Sequence, residues 1–150
     1  MKTMLLSIAL LGAAQARAEA PMNQWLVAAV AKEMGKPVSE IRNSVAAKTC
    51  EGRIGPMEEC MSVKLAAREI RMRTQYARAQ KRLPHARDRD KLAMAQQAWI
   101  IFRGASCDYE ARTIDDGRSY GVEESACKSS MTEARINTLR AYAECGSDAC

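Results

Sequence analysis

The stretch Leu92-Ala93-Met94-Ala95-Gln96-Gln97-Ala98-Trp99-Ile100-Ile101-Phe102-Arg103-Gly104-Ala105-Ser106-Cys107 decides the fold. Leu92, Ala95, Trp99 and Phe102, continued by Ser106 and Tyr109, recur at alternating spacings of three and four, the seam of a bundle helix opening near Ala86. Upstream, Met57, Met61, Leu65, Met72, Tyr76 and Leu83 fall on one stripe of a second long helix. It begins after the Gly52, Gly55, Pro56 turn and ends at Pro84. Downstream, Asp115, Asp116 and Gly117 begin a polar loop, and a third long helix from about Val122 to Ala143 turns Met131, Ala134, Thr138, Leu139 and Tyr142 inward. Nearer the N-terminus, Trp25, Leu26, Ala29, Val30 and Met34 have helical spacing until Gly35 and Pro37 break it; Val38, Ile41 and Val45 form another short run. These two helices read as peripheral. No segment alternates with period two, so the fold class is all-α: a small antiparallel bundle of three long helices plus short N-terminal helices, stabilised by disulfides.

The chain starts with Lys2 and an apolar run from Met4 to Ala14, which read together as a signal peptide too short to span a bilayer. Small residues in Ala16-Arg17-Ala18 predict cleavage after Ala18, because a cut after Ala20 would meet Pro21. No cysteine follows the apolar run to accept a lipid, and no later run is long enough to anchor the product. The expected location is periplasmic or secreted. Removing Lys2 and Arg17 from the chain's charge of +5 leaves +3. From Lys64 to Lys91 ten basic residues meet three acids, whereas from Ala105 to Cys150 nine acids meet five bases. A basic stretch raises nucleic acid as a partner in a cytoplasmic protein; export argues against it and leaves a solvated helix face.

Export also governs the cysteines. Six of them in an oxidising compartment, with no Cys-x-x-Cys unit and a single histidine, His85, point to disulfides rather than to metal or redox chemistry. Three long helices on short connections bring Cys50, Cys60, Cys107 and Cys127 to one end of the bundle. Fifteen pairings of six cysteines exist. The local set Cys50 with Cys60, Cys107 with Cys127 and Cys145 with Cys150 is favoured, and links from Cys60 to Cys107 or Cys127 stay open.

The run from Leu92 to Cys107 resembles the signature helix of the LprI-like lysozyme inhibitor family, L-x-x-A-Q-x-x-W-x-x-Y/F-R-D-x-x-C, carried here by Gln96, Trp99, Phe102, Arg103 and Cys107. Cys50, Cys60, Tyr76, Cys127, Thr132, Arg135 and Leu139 follow the family's other landmarks. Departures are Glu69, Met72 and Arg73 in a family pattern D-x-x-L-N-x-x-Y that ends at Tyr76, and Gly104 where Asp is usual. The implied division is a signal peptide over 1–18, an N-terminal helical extension over 19–49, an LprI-like helical domain over 50–143 and a cysteine-containing tail over 144–150. The resemblance implies a small secreted binding domain whose partner is a lysozyme.

Gln96, Trp99 and Arg103 share one face, and two readings compete for it. A surface Trp with Arg is a typical protein-binding anchor; alternatively Trp99 fills the core, Arg103 pairs with Glu69 and Gln96 bonds backbone, the reading favoured by the apolar seam. Methionines at helical spacing read as core filler, and Tyr76, Tyr109 and Tyr142 as boundary packing. No Ser-His-Asp or Cys-His arrangement and no calcium loop is present, so neither catalysis nor a cofactor or metal is expected. The candidate partner-binding residues are Asp108, Glu110, Asp115, Asp116, Glu123 and Glu124, an acidic connection suited to a basic lysozyme. The competing reading is a structural or stress-related envelope module whose basic Lys64 to Lys91 face contacts anionic wall polymers or lipid headgroups.

Overall fold

Among the described residues, five helices follow from local signals in the chain. The computed structural model describes residues 22–46, 50–112 and 119–145. Helix α1 (Gln24–Met34) starts where Asn23 Oδ1 accepts the Leu26 N–H at 2.9 Å, and it stops at Gly35, whose φ of 66° is left-handed. Such a cap suits glycine because no Cβ opposes the turn. After Pro37 comes α2 (Val38–Ser44). Helix α3 (Ile54–Arg82) starts earlier than the sequence suggests and takes Pro56 into its first turn, where the missing N–H has no intrahelical acceptor to lose. Pro84 separates it from α4 (Ala86–Ala111), and α5 is Tyr120–Glu144. Among the described residues there is no strand.

The long helices run up, down and up. Arg68 of α3 meets Glu133 of α5 at 3.5 Å, and Met72 packs with Ile136 and Leu139 one turn further on, so α3 and α5 are parallel neighbours. Helix α4 crosses back between these levels. Its Arg103 lies beside Glu69 and Thr132, and its Gln96 beside Met72 and Arg135.

Helices α1 and α2 are not peripheral. Leu26, Val27, Val30, Ala31 and Ile41 pack on Val63, Ala67 and Ile70 of α3 in the larger of two buried clusters. Each fully buried large aliphatic side chain there contributes roughly 1.5 to 3 kcal/mol. Lys36 holds the edge, reaching Glu40 at 2.8 Å and Glu59 at 2.5 Å; these two hydrogen bonds raise its pKa. Arg73 of α3 also pairs with Glu33 of α1. The expected α3 stripe therefore describes only one side of that helix. Met72 is buried and Tyr76 half-buried toward the bundle, while Val63, Ala67 and Ile70 serve a second face.

The seam of α4 also differs from its expected course. Leu92 and Trp99 turn inward, but elsewhere the inward residue is the next one along: Gln96 for Ala95, Arg103 for Phe102 and Cys107 for Ser106. Arg103 has to reach Glu69, and Cys107 is covalently tied to Cys127; these two demands rotate the helix past its apolar residues. Phe102 and Tyr109 are consequently 59% and 60% exposed, joined by Met94 and Ile101. On α5 the inward residues are Ser125, Ser129, Thr132, Ile136 and Leu139, while Ala134 and Tyr142 face out, against expectation.

Candidate functional site

The signature residues of α4 build the helix interface. The Arg103 guanidinium, 7% exposed, donates from Nη1 to Thr132 Oγ1 at 2.6 Å and from Nη2 to Glu69 Oε1 at 2.7 Å. Thr132 passes its own proton to the Lys128 carbonyl at 2.6 Å, which orients its lone pairs toward the arginine. Gln96 is also buried, but its partners are side chains and not backbone: its amide faces Met72 Sδ at 3.4 Å and its carbonyl accepts from Arg135 Nε at 2.9 Å. Trp99 is half-buried between the two arginines, with Arg103 at 5.3 Å and Arg135 at 5.7 Å from its ring centre. Arg103 Nε and Arg135 Nη2 find no oxygen acceptor, and the negative face of the indole lies against both cations. Such a buried, charge-assisted network fixes the register of three helices. It leaves Gln96, Trp99 and Arg103 unable to serve together as an exposed anchor.

The two ends of the bundle differ in charge. At one end, Cys50 joins Cys60 with Cα atoms 5.3 Å apart, and Cys107 joins Cys127 at 5.5 Å. The first turns of α3 and α5 lie side by side there, Glu58 against Gly121. Around this stapled end stand Asp108, Glu110 and Glu123, exposed, and Glu124, which pairs with Lys128 at 2.6 Å. Asp115 and Asp116 fall outside the described residues. Asp108 accepts the Tyr120 hydroxyl at 2.5 Å, and this bond pushes the phenol's pKa up to about 12. Tyr120 was not legible as part of this site, because its partnership spans the connection between α4 and α5. Cys145 is disulfide-bonded, and Cys150 falls outside the described residues.

At the opposite end, Gln75, Arg78, Lys81, Arg82, Arg140 and Glu144 line an open cleft between the last turns of α3 and α5. His85 caps α4 nearby and is exposed. The basic residues of α3 are thus joined by one from α5 that the one-dimensional charge count assigns to the acidic half. Among the described residues no group of His, Cys, Asp and Glu is arranged to hold a metal ion. Among those same residues no helix is long and apolar enough to cross a membrane.

The family model for the lysozyme inhibitor LprI matches residues 46–139, from just before Cys50 to Leu139 of the buried α5 seam. No curated protein and no solved structure matches the chain. With α3, α4, most of α5 and the whole Arg103 network inside a match that covers well over half its length, this chain belongs to the LprI lysozyme inhibitor family.

Proposed function

We propose that this protein is an exported, non-enzymatic inhibitor that occupies a lysozyme through the acidic, disulfide-stapled end of its bundle. In this reading residues 1–18 are a signal peptide, the mature chain is periplasmic or secreted, and Asp108, Glu110, Asp115, Asp116, Glu123 and Glu124 face the enzyme. The observation that carries the reading is the segregation of charge: exposed acids collect beside the Cys107–Cys127 bridge, far from the Arg78, Lys81, Arg82 and Arg140 cleft. A negative end steers the molecule onto a cationic enzyme and turns the basic end away from it. Disulfides beside the contact keep its acids in place, so little ordering entropy opposes binding.

The test is the lytic activity of an animal-type lysozyme on a cell-wall suspension, titrated with the oxidised protein at two salt concentrations. Inhibition should weaken as salt rises, because the screening length falls from about 8 Å at physiological strength to about 3 Å at 1 M. Changing Asp115 and Asp116 to Asn should mainly slow association. Absence of inhibition at large molar excess, with helicity intact, would sink the reading for this enzyme class. A second reading rests on the basic cleft, which offers four cations to an anionic wall polymer or lipid headgroup. It predicts that charge reversal at Arg78 and Arg82 abolishes retention on anionic wall fragments and leaves lysozyme activity untouched.

A further inference from the structure

Helix α4 is turned inside out. Its buried seam carries Gln96 and Arg103, while Met94, Ile101, Phe102 and Tyr109 stand 74%, 64%, 59% and 60% exposed on the other side. At 100° per residue, the line Lys91, Met94, Ala98, Ile101, Ala105, Asp108 lies about 120° to 180° around the helix from Arg103. Its spacings are three and four in strict alternation, the heptad period of a helix that packs along another helix. Among the described residues no helix covers Met94 or Ile101 on this line, and α4 meets its neighbours through its other face.

We infer that this face pairs with the same face of a second copy, α4 against α4 in antiparallel orientation about a two-fold axis between Ala98 and Ile101. The occupant follows from the charge pattern. In that register each residue faces the one whose number brings the sum to 199, so Ala98 meets Ile101, Met94 meets Ala105, and Lys91 of one copy meets Asp108 of the other. Lys91 is exposed and only loosely tied to Asp88 at 3.7 Å. Asp108 is exposed and has a second carboxylate oxygen beyond the one that accepts from Tyr120. The same two-fold lays the basic end of each bundle beside the acidic end of its neighbour, which a parallel pairing would not do. Only the outermost layer, Arg87 against Arg112, sets like charges together. There the Arg112 guanidinium already lies over the Tyr109 ring at 3.9 Å.

Size is consistent with a modest association. The four large side chains expose on the order of 500 Å² together, within the range at which apolar patches on small proteins are interaction surfaces. That is somewhat below the roughly 800 Å² per partner of a standard interface, so the expected dimer is a weak, concentration-dependent one. Ala98 and Ala105, seven residues apart, let the two backbones approach closely. This inference goes beyond the inhibitor reading and does not depend on it. The acidic ends would sit at opposite poles of the dimer, and of the candidate lysozyme-facing residues the α4 line contains only Asp108.

Sedimentation equilibrium of the oxidised protein, expressed from its full sequence, tests the pairing from about 1 to 100 µM. The expected result is a monomer–dimer equilibrium that Ile101→Lys weakens by more than about tenfold, since a charge then enters the apolar seam. Lys91→Asp and Asp108→Lys should each weaken dimerisation several-fold, and both together in one chain should restore it. Tyr120→Phe, which removes only the internal partner of Asp108, should leave the dimer intact. All these positions are exposed or half-exposed, and circular dichroism checks that each variant keeps its helices. A monomer throughout the range, a dimer that survives Ile101→Lys, or a double charge swap that fails to restore pairing would each overturn the inference. So would a monomer that co-sediments with phosphatidylglycerol vesicles through Ile101, which would assign the face to a lipid surface instead.

Discussion

The two cores of this molecule are built on opposite principles. Where α1 and α2 meet α3, the interior is aliphatic: Leu26, Val30, Ile41 and Val63 are each no more than 2% exposed, with ion pairs only at the edge. Where α3, α4 and α5 meet, Met72, Ile136 and Leu139 form a small cluster, and above it lie Arg103, Thr132, Gln96 and Arg135 around one indole. The first core draws its stability from removal of apolar area from water, which is non-directional and forgiving of register. The second loses heavily if any member is displaced, since a half-satisfied buried network is worse than none. The family match covers the polar core and stops short of α1 and α2, whose aliphatic contacts with Val63, Ala67 and Ile70 add apolar burial to α3.

The sharpest way to break this contrast is a double-mutant cycle in the polar core. Arg103→Met should destabilise by about 3 kcal/mol, because it leaves Glu69 and Thr132 without their partner. Adding Glu69→Leu should recover more than about 1 kcal/mol of that loss, since a fully apolar replacement removes the stranded charge. Denaturant melts of the four species measure it, and simple additivity would mean the network is no network. In the aliphatic core, Ile41→Val should cost about 1 kcal/mol and Leu26→Ala about 3, both additive with Arg103→Met because the clusters share no partners. Strong coupling between Leu26 and Arg103 would erase the distinction drawn above.

A smaller effect separates the two faces of α4. Gly104 sits inside the helix, and a Cβ there would meet nothing within 4 Å. Gly104→Ala should therefore stabilise by roughly 0.5 to 1 kcal/mol through helix propensity alone. Loss of stability in a thermal melt would show that this part of α4 is packed in some other way. Smallest is the effect of the Tyr120 bond to Asp108. Because the folded phenol's pKa is raised from 10 to about 12, its contribution is fully present below pH 10 and is lost as pH rises through about 12. Ultraviolet titration should find one of the four tyrosines ionising near pH 12, with that midpoint lowered by Asp108→Asn.

The sequence by itself determined the helices and their breaks. Gly35 and Pro37, Pro84, and the polar residues from Asp115 act on the backbone locally, so α1 to α5 were legible with ends shifted by a few residues. The family signature from Leu92 to Cys107 was legible for the same reason, being a pattern along one helix. Which way each helix faces was decided only in three dimensions. On α4 the apolar period pointed to Ala95, Phe102 and Tyr109, yet the Arg103 link to Glu69 and the Cys107 bridge rotated the helix by one residue and put Phe102 and Tyr109 outside. Hydrophobic periodicity predicts burial only where burial is what orients the helix. Here a covalent bond and a charged hydrogen bond to segments 20 and 34 residues away oriented it; the sequence offered both partners, but naming a partner does not give the rotation of a helix until the three helices pack.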